Sequence, residues 1–142
     1  MIHKIDWIIY CYENGACDRC GNIENGFLPY TCNAHTHGME NYNHLDFQIV
    51  LHLGHREIMR ILNTLGLRVQ AGERFRAGDM VSQIYEDCNI RLDEYEVCGR
   101  KVLRVIIPDK NNVFPEDMRC MEPYRLQLLP TEALRSESGL LS

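Results

Sequence analysis

The chain has 142 residues, 45% of them hydrophobic and 25% charged, with a formal net charge of -5. That is enough chain for one globular domain that buries roughly two thirds of its unfolded surface, and the balance of residue types is that of an ordinary soluble protein. No apolar run approaches the ~20 residues that span a bilayer, which argues against a membrane protein. The acidic balance argues against nucleic-acid binding, which needs a basic field to displace counterions.

The first residues lack the basic stretch, apolar run and small-residue cleavage site of a signal peptide, so the expected location is cytoplasmic. In that reducing setting the seven cysteines are not expected to form a disulfide framework, and an odd number leaves one over in any pairing. Metal binding, redox chemistry and simple burial are the readings left for them.

In chain order, Ile2, Ile5, Ile8, Ile9 and Tyr12 recur near helical spacing and stop at Asn14-Gly15, which predicts an amphipathic helix over about 2–14. Residues 15–26 read as a Gly- and Asn-rich loop that carries Cys17 and Cys20 and has little apolar surface to order itself. Phe27 to His37 reads as extended, since Pro29 opposes helix and Tyr30-Thr31-Cys32 favours strand. Phe47 to Leu51 is a β-rich run. Residues 54–68 place Ile58, Ile61, Leu62 and Leu65 on one face and form the second predicted helix. Two strands follow, Asn89 to Val97 and Arg100 to Ile107, joined by a hairpin turn at Cys98-Gly99 where the glycine supplies a positive φ. The proline-containing tail is expected to wrap the body, with a short strand near Arg125 to Leu129 and a frayed end over 136–142. The sum is a single α+β domain over 1–142, with an antiparallel or mixed β-sheet and two main helices.

The chemistry concentrates between residues 17 and 79. Cys17 and Cys20, then Cys32 and His35, are two short-spaced pairs of soft donors that together supply a closed Cys₃His shell, the type used for structural zinc. Strand alternation puts His37 on the same side as His35, so His37 competes for the fourth place. The competing interpretation leaves Cys17 and Cys20 as exposed thiols, Cys32 as a small buried side chain, and no cofactor at all. His35, His37 and His44 form a second constellation. An open three-histidine site with bound water would make the domain a metal-assisted hydrolase, and Asp46 is the carboxylate at hand to orient an imidazole. A redox role for the Cys17/Cys20 pair is weaker, because 21–26 does not read as the helix that such a dithiol needs. In the block 71–79, Glu73, Arg74 and Asp79 either line a cleft near His37 or fix a turn, with Arg74 and Asp79 as an ion pair.

Four short blocks in order also look familiar. His35-Thr36-His37-Gly38-Met39 and Tyr42-Asn43-His44-Leu45-Asp46-Phe47 come first, followed by Ala71-Gly72-Glu73-Arg74-Phe75 with Gly78-Asp79, then Pro108-Asp109 with Phe114-Pro115. Over about residues 27–128 the chain resembles the bacterial domain-of-unknown-function family 4262, departing from it where Asn43 replaces the usual Gly and Leu45 the usual Pro. The resemblance implies a shared fold and a site region at those blocks, and no particular reaction. Three functional readings follow: a binding or accessory domain clipped by structural zinc, a small metal-assisted hydrolase, and a metal-free module for an unknown partner. A homo-oligomer is compatible with all three.

Overall fold

A computed structural model describes residues 4–12 and 27–135 of the chain. Seven regular elements build it: strands β1 (Ile8–Tyr12), β2 (Thr31–His37) and β3 (Asp46–Leu51), helix α1 (His55–Gln70), and strands β4 (Met80–Val81), β5 (Ile90–Val97) and β6 (Arg100–Ile106). The six strands form one sheet in the order β1-β2-β3-β6-β5-β4. Every neighbouring pair is antiparallel except β3 and β6, which run parallel at the centre. A parallel pair needs a crossover, and α1 with β4 and β5 supplies it.

One face of this mixed sheet carries the apolar core. Ile58, Ile61, Leu62, Leu65 and Val69 of α1 pack on Phe47, Ile49 and Leu51 of β3, Leu103 and Val105 of β6, and Ile90 and Leu92 of β5. Trp7 closes this face near β1. A Cβ on Gly66 of α1 would stand 2.5 Å from the Trp7 ring, so only glycine lets the indole lie flat on the helix. The Trp7 Nε1–H donates to Asn63 Oδ1 at 2.9 Å, which satisfies the one polar atom that the burial removes from water.

The expected pair of main helices is corrected: α1 is the one α-helix among the described residues, and residues 8–12 of the first predicted helix are strand β1. The Ile and Tyr side chains there are β-branched or aromatic and fit a pleated surface better than a helix. Ile9 and Cys11 turn toward the core while Ile8, Tyr10 and Tyr12 take the other face. The predicted strand near Arg125 to Leu129 is also different, a 3₁₀ helix over Tyr124–Leu128. The β5–β6 hairpin forms as expected, with Cys98 at φ 51 and Gly99 at φ 78, the two positive values of a two-residue turn matched to strand twist.

The second face of the sheet is mixed, with buried Val50, Val102 and Ile106 alternating with the polar Gln48 and Arg104. The tail crosses it through 3₁₀ turns at Tyr124–Leu128 and Thr131–Leu134, burying Gln127 and Leu134. Among the described residues no helix is long and apolar enough to cross a membrane.

Candidate functional site

The site lies on this second face, at the β1–β2 edge. Cys32 and Ala34 of β2 join the apolar core, so the alternating residues Asn33, His35 and His37 take the opposite side. Across the ladder, Tyr10 stands opposite His35 and Tyr12 opposite Asn33. The aromatic rings form a compact group: His35 and His37 have ring centres 5.0 Å apart, and Tyr10 meets His37 edge-on at 4.9 Å. Both Tyr10 and Tyr12 lie 6.0 Å from His35.

His35 is only 4% exposed. Burial, then the neighbouring His37 and the Arg100 guanidinium, push its pKa down to about 4 against the opposing pull of Asp46. The imidazole is therefore neutral at pH 7 and keeps a nitrogen lone pair, the state a metal ligand or a proton acceptor requires.

A chain of buried polar groups runs inward from His35. Its Nδ1 lies 3.1 Å from Asn33 Oδ1, and the same oxygen accepts a hydrogen bond from Gln48 Nε2 at 3.0 Å. Gln48 Oε1 in turn accepts from Arg104 Nε at 2.7 Å. Arg104 is fully buried. Its Nη1 donates to the carbonyls of Gln127 and Leu129, its Nη2 donates to Thr131 Oγ1, and its guanidinium stacks 3.6 Å from the centre of the Tyr95 ring. Burial lowers its pKa to about 10, opposed by Tyr95, Asp93 and Glu132, which still leaves it charged at neutral pH.

The other residues singled out in the sequence do structural work. Asp46 does not orient His44. Its Oδ1 accepts from the Thr36 hydroxyl and the Met39 N–H, and its Oδ2 pairs with Arg100 at 2.9 Å, so it ties β2, the following turn and the start of β6 together. His44 packs against Phe47 and Phe75 instead of joining His35 and His37. Its Nε2 accepts the Phe75 N–H and its Nδ1 lies 2.8 Å from the Leu45 carbonyl, which uses both ring nitrogens. Glu73 makes a two-pronged pair with Arg68, Arg74 donates to the Val69 and Glu73 carbonyls, and Asp79 accepts the Arg76 N–H. That block is a fixed turn, with Arg68–Glu73 in place of the expected Arg74–Asp79 pair.

Of the four predicted metal ligands, Cys17 and Cys20 lie outside the described residues. Cys32 sits in the core with its Sγ 3.5 Å from the Leu51 carbonyl, on the opposite face of β2 from His35, so these two do not converge. Among the described residues no group of three or more His, Cys, Asp or Glu side chains is placed to hold a metal ion. The pairing that does form is His35 with His37. Sequence reasoning missed Asn33, Gln48 and Arg104, although a signal existed: Arg104 is a lone charge inside Val102-Leu103-Arg104-Val105-Ile106, and Gln48 interrupts an equally apolar run. A charge in the middle of a central strand must have buried partners.

No family model matches the chain, and neither the curated proteins nor the solved structures include a match to it. The resemblance described above therefore rests on its four short blocks.

Proposed function

We propose that the protein is a cytoplasmic binding or accessory module whose β1–β2 edge is clipped by a zinc-type ion, with His35 and His37 as two ligands and the Cys17 and Cys20 thiolates as the others. The observation that carries this reading is the 5.0 Å separation of the two imidazoles. Two rings bound through nitrogen at ~2.0–2.1 Å to one tetrahedral ion have centres roughly 5 Å apart. The His35 ring is neutral at pH 7, as ligation requires. Cys17 follows Tyr12 by five residues, and five residues of extended chain reach about 17 Å, while the Tyr12 ring is 6.0 Å from His35. Cys32 leaves the ligand set because its sulfur belongs to the core.

A structural role for the ion, in preference to hydrolysis, is supported by how the remaining candidates are used. His44, Asp46, Glu73, Arg74 and Asp79 all hold turns or strand ends together, and none of them joins the imidazole pair. Cytoplasmic placement is supported by the thiols of Cys88, Cys98 and Cys120, which are free.

Metal analysis of the protein purified under reducing conditions tests the reading. About one zinc per chain is expected, lost in the Cys17→Ser/Cys20→Ser double variant and in His37→Ala, and kept in Cys32→Ala. Wild-type protein that takes up no zinc on titration, or a Cys32→Ala variant that loses it as fully as the double variant, overturns the proposal.

A further inference from the structure

The buried chain from Arg104 to His35 has a direction. Arg104 can only donate, so the Gln48 atom facing its Nε–H is the carbonyl oxygen, and the Gln48 amide nitrogen is turned toward Asn33. The Asn33 atom that receives this N–H is an acceptor, hence its oxygen. The same oxygen faces His35 Nδ1, so Nδ1 must carry the proton. Thr131 closes the arrangement from the tail. Its hydroxyl accepts from Gln48 Nε2 at 3.2 Å and from Arg104 Nη2 at 3.1 Å, and donates its one proton to the Glu96 carbonyl at 2.6 Å. Each of these bonds joins a donor to an acceptor, and reversing either amide breaks at least one of them.

We propose that Arg104 is a positioning residue for His35: through Gln48 and Asn33 it holds the imidazole as the Nδ1–H tautomer, leaving Nε2 as the nitrogen that binds a ligand. The ligand class is a divalent transition-metal ion, which takes the unprotonated nitrogen while the other ring N–H is held by a neighbour. This inference rests on the metal reading for the ligand and on the hydrogen-bond chain alone for the tautomer. A residue that only stabilised the fold would not dictate which ring nitrogen is protonated.

Long-range ¹H–¹⁵N NMR of the metal-free protein near pH 7.5 separates the protonated from the unprotonated nitrogen of each imidazole. In the wild type, His35 is expected with its proton on Nδ1. Gln48→Glu keeps an acceptor for Arg104 and gains charge attraction, yet presents a second acceptor to Asn33. The Asn33 amide must then turn its nitrogen toward both neighbours, His35 Nδ1 becomes the acceptor, and the two ¹⁵N signals of His35 exchange places. A wild-type spectrum with the proton on Nε2 overturns the inference, whether or not the variant folds. So does a folded Gln48→Glu protein whose His35 pattern is unchanged. Failure of zinc uptake with the Nδ1–H tautomer present would overturn the metal reading and leave the relay standing.

Discussion

Replacing Arg104 by Met removes a charge held fully inside the sheet and tests whether that charge holds the tail down. Four hydrogen bonds from the guanidinium are lost, to Gln48 Oε1, the Gln127 and Leu129 carbonyls, and Thr131 Oγ1. Hydrogen bonds to a charged group contribute about 1.5–3 kcal/mol each, so the four together are on the order of 6–12 kcal/mol. Against this stands the cost of burying the guanidinium. Burial pushes its pKa down to about 10, and a fall of that size corresponds to about 3 kcal/mol. Methionine also refills much of the apolar stem and keeps contact with Tyr95. The net loss is therefore at least about 3 kcal/mol, or about 10 °C in melting temperature for a domain of this size. The loss should be local before it is global. Hydrogen exchange should show amides of the tail, such as Leu129 and Ala133, losing protection while amides of α1 keep theirs. A variant that melts at or above the wild-type temperature with a protected tail would show that desolvation outweighs the hydrogen bonds, as happens for some buried charges, and the reasoning would fail.

Three further outcomes follow from the same contacts. Because the folded state holds His35 near pKa 4 and an unfolded histidine titrates near 6.5, the unfolded chain binds the extra proton, and stability falls as pH drops through that window. Urea titrations from pH 6.5 to pH 5 should lose about 2 kcal/mol, a slope that His35→Gln abolishes; equal slopes would refute the assignment. Gly66→Ala drives a methyl against the Trp7 ring at 2.5 Å, costs about 1–3 kcal/mol of overpacking, and should red-shift the fluorescence of the single tryptophan, whereas an unchanged spectrum and melting temperature would contradict the close approach. Cys98→Asn places the residue best suited to φ 51 ahead of Gly99, and should raise stability by about 0.5 kcal/mol in thermal melts; a lower melting temperature would count against the turn.

How much of this was legible depends on whether a residue's role is local. Helix α1 was, because Ile58, Ile61, Leu62 and Leu65 recur at its period and all four are buried. The hairpin at Cys98-Gly99 was, because its turn residues announce their own backbone angles. Strand β1 was misread because its five residues are half-buried or apolar on both faces, so no polar side marks a period of two, and Ile5, Ile8, Ile9 and Tyr12 fit a helix equally well. The tail was misread for a different reason. Gln127 accepts the Ile107 N–H and donates to the Ile107 carbonyl, so a side chain supplies what a neighbouring strand would have supplied, and the backbone around it is free to coil. Within the site, the likeness of His35 and His37 followed from alternation. The burial of Cys32 against α1 did not, since pairing it with His35 ignored that residues three apart on a strand face opposite ways.

The two faces of the sheet meet different physical demands. The α1 face is held by apolar burial, which is insensitive to direction and supplies the stability of the domain. The tail face adds to its buried Val50, Val102, Ile106 and Leu134 a set of polar groups that must each find a partner of the right sign. Such a network contributes stability, and it also allows one arrangement and penalises the alternatives. Gln48 is the residue where that selectivity leaves the tail and enters the site: it bonds Thr131 and Arg104 on one side and Asn33 on the other. The docked tail and the imidazole pair are thereby parts of one hydrogen-bonded unit, although the sequence separates Thr131 from His35 by almost the whole core. A ligand that prefers one tautomer of His35 must therefore prefer the docked tail as well, and by linkage a docked tail raises affinity for that ligand. The buried arginine makes physical sense on this view. An apolar residue at position 104 would serve the core, but it would leave both amides free to turn and the histidine free to choose its proton.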